Sequence, residues 1–135
     1  MQQKFIQQLI VEKEHLDELE HVNNVLFLRW SQDIAKSHWE FLIEPLTEKI
    51  GVWMVRKHEV EYRLEAKENE IIRVETHVNS VRGPLSNRVV EFYNNETQKL
   101  LVKCQTQWCY IDLVNKKTIP IPESIRHLFL GDNAQ

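Results

Sequence analysis

A chain of 135 residues, 42% hydrophobic and 27% charged, has the length for one domain with a single core and is too apolar for a disordered one. Its formal net charge of −3 is spread along the chain without a polybasic block, so neither nucleic acid nor an anionic membrane is an expected partner. No stretch approaches the ~20 apolar residues that span a bilayer, and the opening MQQKFIQQLIVEKEH lacks a secretory-type apolar core; a cytoplasmic protein is expected.

In chain order, FIQQLIV (5–11) reads as a first strand. From about Asn23 the apolar residues crowd together: Val25, Leu26, Phe27, Leu28, Trp30, Ile34, Ala35, Trp39, Phe41 and Leu42. Many lie three or four apart yet cover more than one face, the pattern of a helix embedded in a core. Asn23 or Asn24 caps its start, and Glu44-Pro45 breaks the chain soon after its end. Beyond Gly51 the period becomes two. Val60, Tyr62, Leu64 and Ala66 alternate with Glu59, Glu61, Arg63 and Glu65, and Ile72, Val74, Thr76 and Val78 alternate with Arg73, Glu75, His77 and Asn79. KENE (67–70) separates these two strands. RGPLSN (82–87) forms the next turn, followed by RVVEFY, an NNET turn, and a long strand from Leu100 to Val114. The end, TIPIPESIRHLFLGD, gives a Pro-bounded stretch and a short helix.

Cys104 and Cys109 fall on one strand at an odd separation, hence on opposite faces where they cannot bridge; both are expected as thiols. A lone CxxxxC without a nearby His pair makes no zinc site. The order is therefore one strand, one very apolar helix and four strands joined by short turns, an α+β domain. The last four strands can form an antiparallel meander whose apolar face buries the helix.

The stretch HLDELEHVNNVLFLRW (15–30) carries the chemistry. It resembles the D-x-x-x-H-V-N-N-x-x-[YF]-L segment of the 4-hydroxybenzoyl-CoA thioesterase family, most of all its long-chain acyl-CoA thioesterase III and plant acyl-ACP thioesterase types. Val55-Arg56 with Glu61-Tyr62-Arg63, the strand KLLVKCQTQWCYIDL and the closing IPIPESIR match the family's usual order, so the resemblance covers nearly the whole chain. It implies a hotdog fold, an antiparallel sheet of about five strands around one central helix. It also implies a homodimer or tetramer with sites at the interface, and hydrolysis of an acyl-CoA or acyl-carrier-protein thioester without a cofactor.

By matched position Asp17 is the catalytic carboxylate, as general base or as nucleophile. His21, four residues on, is placed to be oriented or charged by it, or else to hold the loop through backbone bonds. Asn23 and Asn24 sit at the helix start, where free backbone N–H groups and a partial positive charge can stabilise an oxyanion. The backbone N–H of Asn24 is the expected donor, with Val22 and Asn23 against the substrate. Leu19 replaces the Asn that the plant enzymes carry between Asp and His. Glu20 stands where many relatives have Gly, which predicts a turn that needs no positive φ. His15, Asp33 and Glu40 read as structural or exposed residues, and Phe27, Trp30 and Trp39 as core. Arg82 and Arg88, flanking the Gly-Pro turn, are candidates for the coenzyme A phosphates, with Arg56, Lys57 and Arg63 as further basic positions. A hotdog hydratase or dehydratase would use a different local motif. A non-catalytic acyl-CoA-binding module would keep the pocket but lose the base.

Overall fold

The structure, a computed structural model, describes residues 4–47 and 50–131. Five strands, β1 (Phe5–Ile10), β2 (Val52–Tyr62), β3 (Ile71–Arg82), β4 (Leu85–Asn94) and β5 (Leu100–Ile111), form one antiparallel sheet. Helix α1 (Asn24–Ile43) lies against it and α2 (Glu123–Leu130) closes one end. This is the expected α+β hotdog architecture.

Helix α1 starts where the sequence asks it to. Asn23 caps it, its side-chain Oδ1 accepting from the Val25 N–H at 3.1 Å. Phe27, Ser31, Ile34, Ala35, His38 and Leu42 make its buried stripe at helical spacing. The sheet offers the matching face through period-two alternation: Ile72, Val74, Thr76 and Val78 from β3, Ser86, Arg88, Val90 and Phe92 from β4, and Val102, Cys104, Thr106 and Tyr110 from β5. Phe27 sits edge-on to Phe92, ring centroids 5.1 Å apart, in the core under the N-terminal half of α1. A second cluster joins Leu42 to Tyr110, Ile125 and Phe129, where α2 packs. Cys104 and Cys109 are both buried and free.

Four features of the strands and turns differ from what the sequence leads one to expect. The spatial order is β1-β3-β4-β5-β2, so β2 is not part of the meander: it crosses to the far edge and pairs with β5. The loop from 63 to 70 is too long to force a hairpin onto β3, and Arg63 and Leu64 N–H groups both donate to the Leu101 carbonyl. That crossing also ends β2 at Tyr62 rather than Ala66, although Ala66 is fully buried in the loop beyond. The turn expected over 82–87 contracts to Gly83-Pro84, with Arg82 already paired to Leu85. Gly83 has φ +56°, the left-handed first position of a two-residue hairpin turn. Finally, β5 stops at Ile111 and not Val114, because Asp112 Oδ1 accepts from the Val114 and Asn115 N–H groups and bends the chain away.

Candidate active site

Residues 16–22 form a tight loop before α1. Leu16 and Val22 pair as an isolated bridge, and the Asp17 N–H donates to the His21 carbonyl at 2.8 Å. The Glu20 N–H donates back to the Asp17 carbonyl at 3.0 Å, and Glu20 itself lies at φ +62°. This is a turn followed by a left-handed residue, the conformation glycine favours. The expectation that Glu20 removes the need for positive φ is therefore wrong; the turn keeps its shape and a non-glycine residue bears the strain.

Asp17 Oδ1 accepts from two backbone donors, Leu19 N–H at 2.9 Å and His21 N–H at 3.2 Å. The carboxylate thus stands at a fixed angle on an otherwise exposed loop. Its link to His21 runs through the backbone. The imidazole turns instead toward Glu65, with Nε2 4.0 Å from Oε1. Val22 is buried and anchors the loop by donating its N–H to the Ala66 carbonyl, while Asn23 N–H donates to the His15 carbonyl. At the start of α1 the Val25 N–H goes to the Asn23 side chain and the Leu26 N–H to the Asn23 carbonyl, so neither cap uses the Asn24 N–H.

These residues surround a cavity of about 270 Å³ lined by Asp17, His21, Val22, Asn24, Phe27, Tyr62, Arg63, Leu64 and Glu65. Asn23 does not line it; its side chain is occupied by the cap. Arg82 is exposed at the β3–β4 turn. Arg88 is another correction. It does not flank the turn as a solvated cation but lies mid-strand, opposite Val78 and Thr106, on the face that α1 covers, and is 4% exposed. His15 packs edge-on against Trp30, and its Nδ1 accepts the Glu12 N–H; Asp33 and Glu40 are exposed.

Residues 11–129 match the family model described as the thioesterase-like superfamily. The chain belongs to that superfamily. No curated protein matches it. Among solved structures, the 1,4-dihydroxy-2-naphthoyl-CoA thioesterase of Synechocystis is similar in fold, with a TM-score of 0.79 at 16% identity over 94% of this chain and 96% of that one. A predicted thioesterase from Bacillus stearothermophilus gives 0.82 at 16% identity, covering 94% of each chain. A Staphylococcus aureus protein solved in complex with CoA gives 0.78 at 13% identity, over 95% of this chain and 82% of that one.

For a member of the thioesterase-like superfamily, the residues that sequence reasoning placed elsewhere are instructive. Tyr62 and Glu65 were assigned only to a strand face. Tyr62 Oη donates to the Asn24 carbonyl at 3.2 Å, tying β2 to the first turn of α1, and burial raises its phenol above the usual range. Glu65 faces the His21 ring. Arg63 lines the same cavity, its Nε held by Glu61 Oε1 at 2.5 Å. The early end of β2 brings all three to the site, and no residue pattern in the sequence marks that end.

Proposed function

We propose that the chain is an acyl-CoA thioesterase, hydrolysing a fatty acyl or related acyl thioester to the free acid and CoA. The observation that carries this reading is that Asp17, His21 and Asn24 line one cavity at the positive end of α1. Asp17 either takes a proton from water, which attacks the thioester carbonyl, or attacks that carbonyl itself to give a mixed anhydride that water then cleaves. The Asn24 N–H stabilises the oxyanion in both routes, an interaction worth about 3 kcal/mol in the transition state. The C–S bond breaks as the first tetrahedral intermediate collapses in either route, before any anhydride is cleaved, and CoA leaves as its thiolate, to be protonated. His21, turned toward Glu65, positions the loop and the substrate rather than the Asp17 carboxylate.

The site lies beside β2, a sheet edge with exposed Val52, Met54, Tyr62 and Leu64 nearby, which suits a homodimer that joins two sheets across it. Of the two arginines beside the Gly-Pro turn, Arg82, exposed at the β3–β4 turn, remains a candidate contact for the CoA phosphates, as does Arg63 on the cavity wall. Arg88, enclosed under α1, is not.

Thiol release from a panel of acyl-CoA and acyl-carrier-protein substrates tests the reading. The wild type is expected to turn over at least one acyl-CoA, and Asp17→Asn to lose all activity. The Asn carbonyl can still accept the Leu19 and His21 N–H groups, so the variant should keep its fold and its mass of twice the chain. Equal rates for the two proteins would remove Asp17 from catalysis. No turnover on any substrate would favour a binding module.

A further inference from the structure

A second cavity of about 350 Å³ lies along α1 beyond the site, walled by Trp39, Trp53, Trp108 and Phe129 with Arg88 among its lining residues. Its size is that of a small-molecule pocket. Three rings meet at close quarters: Trp39 and Trp53 at 5.4 Å, Trp53 and Phe129 at 5.8 Å, Trp39 and Phe129 at 5.9 Å. An apolar body is what such walls accept. Arg88 is what they do not need.

The Arg88 guanidinium is almost wholly buried and forms no ion pair with any described residue. Its partners are neutral. One NH1 nitrogen lies 2.9 Å from His38 Nδ1 and 3.0 Å from Thr76 Oγ1, while Thr76 Oγ1 donates its own proton to the Val89 carbonyl. Burial pushes His38 down to about 3, with Arg88 adding to the shift, so the ring is uncharged and accepts at Nδ1. Arg88, lowered only to about 10, keeps its charge at neutral pH. The guanidinium also sits over the Phe129 ring at 5.7 Å, which offsets only part of its lost hydration. An uncompensated buried cation is among the least favourable groups a core can hold. A second observation points the same way: the indole N–H groups of Trp53 and Trp108, both cavity residues, are buried without an acceptor among the described residues. Two indole donors on this aromatic-walled cavity lack an acceptor, and the Arg88 cation beside them lacks an anion.

We infer that this cavity seats the far end of the acyl group and selects chains that end in a carboxylate, with Arg88 as the specificity-determining residue. The inference rests on the thioesterase reading for its substrate class. His38, whose Nδ1 meets the Arg88 guanidinium, is fourteen residues beyond Asn24, so about 21 Å along α1 separates the oxyanion donor from Arg88. A long acyl chain spans that distance. A carboxylate arriving there gives Arg88 a charge-assisted partner and leaves the apolar chain against the aromatic walls.

Two measurements on the full chain separate the pocket from the chemistry. The first is binding without turnover, read by the fluorescence of the cavity tryptophans and by calorimetry, with octanoate against octanol. The wild type should bind octanoate about tenfold more tightly, the usual worth of a hydrogen bond to a charged group. Arg88→Gln should abolish the preference and Arg88→Lys should retain much of it. Equal binding of the two compounds, binding of neither, or a preference that survives Arg88→Gln would overturn the inference. The wild-type comparison decides this even where a variant fails to fold. The second is hydrolysis of palmitoyl-CoA against the mono-CoA thioester of hexadecanedioic acid. A higher kcat/KM for the latter, lost in Arg88→Gln, is expected; equal values overturn the selectivity. Failure to hydrolyse either would count against the thioesterase reading, while the octanoate preference would still report on Arg88.

Discussion

Glu20 holds a left-handed backbone at φ +62° with a side chain that gains nothing from it, being exposed. Such a residue carries about 1–2 kcal/mol of strain that glycine would not, and glycine gives back about 0.5–1 kcal/mol through the freedom of the unfolded chain. Glu20→Gly should therefore stabilise the protein by roughly 0.5 kcal/mol, a rise of about 2 °C in Tm by thermal denaturation. A fall would mean that the Glu20 side chain makes a stabilising interaction. Asp17, His21, Val22 and Asn24, expected at the site by matched position, line one cavity, whereas Asn23, expected against the substrate, has its side chain taken up by the helix cap. The direction of the His21 ring was not legible in the sequence, since it depends on Glu65, which the fold brings near from far along the chain. Arg88 was misplaced through attention to its neighbour in sequence, the Gly-Pro turn. The alternation Arg88, Val90, Phe92 already put it on the inward face.

Elements with local signals came through with their bounds nearly intact. Helix α1 declares itself by its Asn cap and by Pro45, and β3 by its clean alternation. Strand pairing did not, because whether β2 neighbours β3 or β5 is decided by long-range burial and not by any residue within it. Gly51, just before β2, shows how tightly that pairing closes. Its N–H donates to Tyr110 Oη at 2.6 Å, and a Cβ there would stand 2.5 Å from the Ile111 carbonyl oxygen and 2.8 Å from Tyr110 Cζ. One of those contacts is backbone and cannot swing aside. Gly51→Ala is expected to destabilise the protein by about 1–3 kcal/mol, measured by denaturant unfolding, through the β2–β5 edge being pushed open. An unchanged midpoint would show that this edge yields freely.

At the scale of the molecule, the interior holds a neutral histidine whose protonation the fold resists. His38 is lowered from 6.5 to about 3, chiefly by burial and further by Arg88 and His77. Between those values the unfolded chain binds a proton that the folded chain refuses, so stability is full above about pH 6.5 and is lost progressively as pH falls toward 3. His58 and His77, also lowered by burial, act with the same sign. Tm measured across this range should decline with acidification, and His38→Asn, which keeps an acceptor for Arg88, should flatten the decline. A slope unaltered by that change would assign the acid sensitivity to the other histidines.

The sheet order also sets a timetable. Strands β3, β4 and β5 are neighbours in sequence as well as in space, whereas β1 and β2, the first strands made, must each find a partner across a long loop of chain. Closing those loops is entropically expensive until a partner surface exists, so the three-strand meander is the natural nucleus and the edges dock late. Core substitutions in β4 should then slow refolding, while substitutions in β1 should mainly hasten unfolding. During synthesis the apolar stripe of α1 emerges well before the sheet that covers it, a period in which the growing chain depends on company from outside itself.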